Sequence, residues 1–272
     1  MTFHEVLSRT IQFSNSVFEE HRETHTYNDT YSMVIVSLYR KIIELSDGLW
    51  VCSDHGLKAP SELNFRGVME AYLAFEYILN DEHLSERRAI AYRVGYHMHQ
   101  IESANYSLNR DDLSVDQRAR LNLALANHQQ FLNQEEFSEV VHEWNRLQQA
   151  HPRNYPPKWY SLFRGPSSIN SLARHLSQDM DERNLMSQLY SFLSIGAHNY
   201  LALRDYKPTI SGEHIFMNVR YPINEETDGF SLIPTRAILL SATLNFCQHF
   251  FPSKLEQFRD FAQDISEHLV YE

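Results

Sequence analysis

The stretch LNFRGVMEAYLAFEYIL, residues 63–79, decides the fold. As a helix, it carries apolar side chains on every side instead of along one stripe. A helix of that kind belongs in the interior of a protein or in a membrane. It carries three charges and is shorter than the roughly 20 apolar residues that span a bilayer. We therefore predict a buried central helix, with Ser61 as its N-cap.

Two of the charges on this helix need a partner, because a charge in a protein interior is costly unless it is paired and hydrogen-bonded. Arg66 and Glu70 lie four residues apart and therefore share one face of the helix. We predict that they form an ion pair on the central helix.

Composition places the 272-residue chain among globular proteins of the mainly α class. It is 43% hydrophobic and 12% aromatic, which is typical of a folded chain. Eight glycines and nine prolines leave little material for a turn-rich β architecture. The two cysteines, Cys52 and Cys247, form neither a disulfide framework nor a zinc pattern.

Charge and hydropathy limit the partners and the compartment. The net charge of −11 argues against a broad nucleic-acid surface, although a local cleft could still bind RNA. We find no signal peptide and no run that approaches a membrane span. We therefore expect a cytoplasmic protein that does not associate with a membrane.

The chain reads as a single helical domain over residues 1–272, a multi-helix bundle with its core in 29–200 and a hairpin plus two helices in 205–272. The segments GEHIFMNVRYPI and ETDGFSLI favour a small β-hairpin near 213–233. Pro234 then suits the first turn of the next helix.

The helical spacing of apolar residues predicts the other helices. Ser114 with Gln117 three residues later predicts a capping box. The predicted helices span residues 3–23, 29–51, 63–79, 82–109, 114–132, 135–150, 167–177, 181–198, 234–251 and 253–271.

A second group of polar residues lies on ERNLMSQLYSFLSIGAHN, residues 182–199. At 100° per residue its large apolar side chains share one face, and the opposite face is polar but nearly uncharged. Such a face suits a cleft or a second polar helix surface, and a solvated face remains the alternative. The residues of this polar face are Arg183, Ser187, Tyr190, Ser194 and His198.

The segments RGVMEAYLAFEYIL, SSINSLARHL and LYSFLSIGAHN, with Trp159 between the first two, resemble a bacterial family of unknown function. That family is helical and is often discussed beside abortive-infection and phage-defence genes. The resemblance covers residues 30–200 and implies a helical fold, a defence or stress setting and no assigned activity. Its R-x-x-x-E and Y-x-x-x-S-x-x-x-H marks fall on Arg66, Glu70, Tyr190, Ser194 and His198.

These five residues allow two functions. In the first, a metal-independent ribonuclease, Arg66 binds the phosphate and His198 acts as general acid or base. In the second, a non-catalytic sensor or protein-interaction module, the polar centre is structural or binds a small anion. The partner is then RNA in the first case and a protein or small anion in the second. Amphipathic terminal helices also allow a homodimer.

A positive cleft around His198 would favour the nuclease. Four arginines are close enough in sequence to supply such a cleft: Arg164, Arg174, Arg183 and Arg204.

Motif searches add no cofactor and no metal. The R-x4–6-H motif of helical ribonucleases matches at Arg93–His99 and Arg146–His151, which is no more than chance allows with this many histidines and arginines. The single E-x-x-H, Glu139–His142, is one half of a di-iron pattern at most. There is no H-E-x-x-H, G-x-S-x-G, P-loop or G-x-G-x-x-G.

Overall fold

The structure is a computed structural model. It describes residues 1–150, 156–177, 188–191, 193–194, 206–208, 212, 214–216, 219–220 and 225–267.

The described residues are mainly helical, as the sequence predicts. The α-helices are α1 Phe3–Thr24, α2 Thr30–Asp54, α3 Lys58–Leu79, α4 Ser85–Leu108, α5 Val115–Leu132, α6 Ser138–Ala150, α7 Ile169–Leu176, α8 Glu225–Phe250 and α9 Leu255–Glu267. Short 3-10 turns span Glu135–Phe137, Trp159–Arg164 and Pro252–Lys254. Two strands, β1 Tyr206–Pro208 and β2 His214–Phe216, pair antiparallel.

Local signals predicted the start of α5 but not that of α3. The capping box predicted at α5 is confirmed, because Ser114 and Gln117 exchange side-chain and backbone hydrogen bonds. The predicted cap of α3 is wrong: the helix begins at Lys58, so Ser61 lies inside it. Pro60 falls in the first turn, where a proline costs no helical hydrogen bond. Ser61 is buried instead, and its hydroxyl has no hydrogen-bond partner among the described residues.

The hairpin predicted near residues 213–233 is wrong. Residues 225–233 form the first turns of α8, so Pro234 lies inside a helix and not in its first turn. The reason is burial at helical spacing: Ser231, Leu232 and Thr235 are all buried. Within the described residues, the strand pairing is that of β1 with β2. Both strands precede ETDGFSLI, where the second strand of the hairpin was predicted.

The residues group into two compact units. Unit 1 comprises the described residues of Met1–Thr26, Val36–Glu76 and Leu176–Glu272, and unit 2 those of Tyr27–Ile35 and Tyr77–His175. The single domain predicted over residues 1–272 stays a prediction.

Unit 1 is centred on Tyr39 of α2, which is fully buried. Its ring stacks on Phe246 of α8, with ring centroids 4.2 Å apart. Its hydroxyl lies 3.2 Å from the carbonyl of Ser14 in α1 and 3.0 Å from the hydroxyl of Thr243 in α8. The Ser14 and Thr243 hydroxyls are also hydrogen-bonded, at 2.8 Å. One buried polar network therefore joins three helices, which satisfies groups that would be costly to bury alone.

Helix α3 is largely buried in its apolar positions, as its sequence predicts. Phe65, Met69 and Phe75 are fully buried in unit 1. Where α3 meets α8, Asn245 donates a hydrogen bond to the carboxylate of Glu76 over 2.5 Å. Burial is the main cause of a raised pKa at Glu76, which the bonds from its neighbours only partly offset. The helix therefore has polar contacts as well as an apolar core.

Unit 2 has its own hydrophobic core between α4 and α6, with Val94, Phe137 and Trp144 at its centre. Gly95 of α4 allows the close approach of Trp159, because a Cβ at this position would lie 2.9 Å from the Cβ of Trp159. Trp159 is thus a packing residue of unit 2.

Helix α8 has an unexpected property. By length and composition, its residues Phe230–Phe250 could cross a membrane, with a mean hydropathy of 1.3. The segment is not an uninterrupted apolar run, because Ser241, Thr243 and Asn245 lie within it, and the sequence alone therefore did not indicate a span. Half of the segment is buried inside the protein, and a buried core helix passes the same test.

Candidate functional site

The predicted ion pair on α3 is present. The Nε of Arg66 donates to Oε1 of Glu70 over 2.8 Å, one helical turn apart. The side chain of Arg66 is 23% exposed and that of Glu70 is 39% exposed. The pair therefore lies at the edge of the core and not within it, so water can reach both charges.

Tyr190 joins this pair from a distant part of the sequence. Residues 188–191 and 193–194 are helical. The Tyr190 hydroxyl donates to Oε1 of Glu70 over 3.1 Å and accepts a hydrogen bond from Nη2 of Arg66 over 3.2 Å. The Arg66 guanidinium also lies 5.4 Å from the centre of the Tyr190 ring. The three side chains form a closed triangle, which we call the polar centre.

Of the five residues predicted to form a site, the structure brings three together. Arg66, Glu70 and Tyr190 form the polar centre. Ser194 is helical, partly buried and one turn after Tyr190. His198 lies outside the described residues.

Protonation in the polar centre follows from burial and from its one carboxylate. Burial works to lower the pKa of Arg66, but the hydrogen bond and charge of Glu70 outweigh it, so the net shift is upward. Burial, followed by the charge of Glu70, raises the pKa of Tyr190. At neutral pH the centre therefore holds a guanidinium cation and a neutral phenol that can donate to Glu70.

Of the four arginines proposed for a positive cleft around His198, two lie among the described residues. Arg164 and Arg174 are exposed and belong to unit 2. Arg183 and Arg204 lie outside the described residues. Glu62, one turn before Arg66, adds a buried carboxylate to α3. The field near Arg66 is thus not that of a basic patch.

The R-x4–6-H matches have structural roles. Arg93 donates to Thr30 over 2.7 Å and stacks on Phe131, with the guanidinium 4.2 Å from the ring centre. Arg146 is bound by both oxygens of Glu143, at 2.6 and 2.8 Å. Arg93 thus links α4 to the start of α2 and to α5, whereas Arg146 pairs within α6.

Sequence reasoning missed one cluster. His97 of α4 and His128 of α5 approach to 2.8 Å between their Nδ1 atoms. The two residues are 31 positions apart. Only the pairing of α4 with α5 as neighbouring antiparallel helices would have revealed the contact from sequence.

Comparison with known proteins identifies a family but no activity. The sequence model of the family of unknown function (DUF5677) matches residues 32–209, which is well over half of the chain and includes all five predicted site residues. No curated protein matches the chain significantly, and no solved structure does. The resemblance to a family of unknown function is therefore confirmed: the chain belongs to the family of unknown function (DUF5677).

Proposed function

We propose that the protein is a non-catalytic sensor module that binds a small anion at Arg66. The observation that carries the proposal is the closed triangle of Arg66, Glu70 and Tyr190. In it, Tyr190 and Glu70 fix the direction of the guanidinium, while 23% of the Arg66 side chain stays exposed.

The ligand takes the place of Glu70. An ion pair between partly exposed side chains contributes only about 0.2–1 kcal/mol, so Glu70 is a weak competitor. A phosphate or carboxylate group can bind arginine through two charge-assisted hydrogen bonds, which are stronger than neutral ones. Release of Glu70 also removes the bond that it accepts from Tyr190, and the ligand can accept that bond instead. Binding of the anion thus changes the hydrogen bonds of Tyr190 and of the segment that carries it.

The size of the anion is limited by local charge. Glu62 and Glu70 flank Arg66 along α3 and oppose the approach of a polyanion such as RNA. A single phosphate or carboxylate group meets less repulsion. This favours the sensor over the nuclease.

The nuclease is the second candidate. In that version the protein is a cytoplasmic bacterial defence effector that cleaves RNA without a metal, with Arg66 on the phosphate and His198 as acid or base. The Y-x-x-x-S-x-x-x-H motif supports it, because its tyrosine lies beside Arg66. The net charge of −11 and the two flanking glutamates count against it.

Thermal unfolding in inorganic phosphate tests the sensor proposal. Phosphate also stabilises proteins by exclusion from their surface, so the comparison uses Arg66→Gln and, as control, Arg40→Gln. Arg40 forms an equivalent i,i+4 pair with Glu44 on α2. We expect wild type and Arg40→Gln to show the same saturable rise in Tm at low millimolar phosphate, absent in Arg66→Gln. Equal rises in all three proteins would refute the sensor proposal.

An RNA-cleavage assay with EDTA present decides between the candidates. Wild type is compared with His198→Ala, with Arg66→Ala and with His99→Ala as the histidine control, after circular dichroism has established folding. The sensor proposal predicts no cleavage by any of the four. Cleavage by wild type and His99→Ala that disappears in a folded His198→Ala would contradict it and establish the nuclease.

A further inference from the structure

A pair of histidines in unit 2 has the geometry of a metal chelate. The Nδ1 atoms of His97 on α4 and His128 on α5 are 2.8 Å apart, and their ring planes meet at 63°. Such a contact holds one proton between two imidazoles, so at least one ring is neutral. The accepting Nδ1 carries a lone pair, and the donating Nδ1 gains one in the tautomer that has its hydrogen on Nε2.

Neighbouring aromatic rings fix the two imidazoles. His97 stacks on Phe131 with centroids 3.9 Å apart and planes 14° from parallel. The ring of Tyr96 is nearly perpendicular to both imidazoles, with ring centroids 5.1 Å from His97 and 6.1 Å from His128. Ligands held in place before a metal arrives lose little freedom on binding it.

We propose that His97 and His128 bind one divalent transition-metal ion of the Cu²⁺ and Ni²⁺ class through their Nδ1 atoms. Two nitrogens at about 2.0 Å from a metal and 90° apart lie about 2.8 Å from each other, which is a neighbouring pair in a square-planar or tetragonal site. A tetrahedral Zn²⁺ would need about 3.3 Å between the nitrogens. For the metal to bind, the proton on the donating Nδ1 moves to Nε2 of the same ring, so that two neutral imidazoles coordinate the ion through their Nδ1 atoms.

Surrounding charges narrow the choice of metal. The Arg93 guanidinium lies 4.2 Å from the centre of the Phe131 ring, on which His97 stacks, so a positive charge lies near the two nitrogens. Arg93 repels a cation, so ions with weak coordinate bonds such as Mg²⁺ and Ca²⁺ are disfavoured. No group of three His, Cys, Asp or Glu side chains suited to a metal exists among the described residues. Water therefore completes the coordination.

The site would act as a clamp on the α4–α5 hairpin. Among the residues of α5, Leu132 is the one that is buried, with 8% of it exposed. A metal bonded to both helices would stabilise the packing of α5 on α4, to which the apolar side chains of α5 contribute little. Binding should therefore raise the temperature at which this hairpin unfolds.

Calorimetric titration of the chelator-treated full chain with Ni²⁺ at pH 7.5 tests the proposal. The proteins are wild type, His97→Gln, His128→Gln and, as control, His99→Ala, which alters an exposed histidine on the same helix. We expect one site per chain in wild type and His99→Ala, with affinity about 100-fold lower in each glutamine variant because one of two protein ligands is lost. Cu²⁺ should bind more tightly and Zn²⁺ less tightly than Ni²⁺.

Stability gives a second readout that does not depend on the heat of binding. Ni²⁺ should raise the Tm of wild type and His99→Ala and leave the Tm of both glutamine variants unchanged, provided circular dichroism shows them to be helical without metal. Absence of Ni²⁺ binding to wild type, or affinity that survives in a folded His97→Gln or His128→Gln, would overturn the proposal. The latter result would mean adventitious binding by other histidines.

Discussion

Replacement of Tyr190 by phenylalanine removes one hydroxyl from the polar centre and keeps the ring beside Arg66. The hydroxyl makes two hydrogen bonds, both to charged groups, at 3.1 and 3.2 Å. Hydrogen bonds to charged groups contribute about 1.5–3 kcal/mol each when buried. Arg66 and Glu70 are 23% and 39% exposed, so water replaces much of the loss. We therefore expect Tyr190→Phe to lower the free energy of unfolding by about 1–2 kcal/mol in total.

Urea unfolding followed by circular dichroism measures this loss. Tyr106→Phe is the matched control, since Tyr106 is 79% exposed and should change stability by less than about 0.3 kcal/mol. A double-mutant cycle of Tyr190→Phe with Glu70→Gln should show a coupling of about 0.5–1.5 kcal/mol. A Tyr190→Phe protein as stable as the control, with no coupling to Glu70, would refute the closed triangle as a source of stability. The sensor proposal would then lose its mechanism.

Three further predictions follow from single contacts. The pKa of His97 is lowered to about 4 from 6.5, so folding disfavours its protonation. The contribution of His97 to the free energy of unfolding is therefore full above pH 6.5 and is lost as the pH falls towards 4. Urea midpoints at pH 7 and pH 5 should differ less in His97→Gln than in wild type. Because burial raises the pKa of Glu76, its charged form is less favourable in the folded protein than in the unfolded chain, so Glu76→Gln should be at least as stable as wild type at pH 7 by thermal melting. Glu76→Ala should lose about 1–3 kcal/mol, because Asn245 loses its acceptor. Gly165→Ala would place a Cβ 2.1 Å from the carbonyl oxygen of Tyr160. The clash should lower the free energy of unfolding, measured in urea, by about 1–3 kcal/mol. A Gly165→Ala protein as stable as wild type would contradict this packing.

Most helices could be predicted because their signals are local. The spacing of apolar residues gave α1 and α2 to within a few residues, and the pair Ser114 and Gln117 identified the start of α5. The burial of α3 followed from apolar residues on all its sides. Each of these predictions depends on residues within a few turns of one another.

The failures arose where a distant contact decides the local structure. Residues 226–233 could pair as a strand or form a helix, and the burial of Ser231 and Leu232 in unit 1 favours the helix. Pro234 and Ser61 are typical of helix starts, yet both lie inside helices. Before Pro234, Ser231 and Leu232 are buried, whereas before Ser61 the first turn accommodates Pro60.

In the candidate site, too, the contacts within one helix were predictable from sequence and those between distant segments were not. The pair of Arg66 and Glu70 is visible in sequence as an i,i+4 spacing. Tyr190 is 120 residues from Glu70, and only the resemblance to a family connected them. His97 and His128 had neither a local spacing nor a family motif, so the contact between them was not predicted.

The network around Tyr39 sets a lower limit on how far this protein can be shortened. Tyr39 belongs to the segment shared with the family, residues 32–209, but Ser14 and Thr243 lie on opposite sides of that segment in the sequence. A fragment trimmed to the shared segment would expose the Tyr39 hydroxyl and the apolar surface around it, and should aggregate. Relatives with different flanking sequences must therefore cover this tyrosine by other means, so the residue at position 39 and the two flanks should change together in evolution.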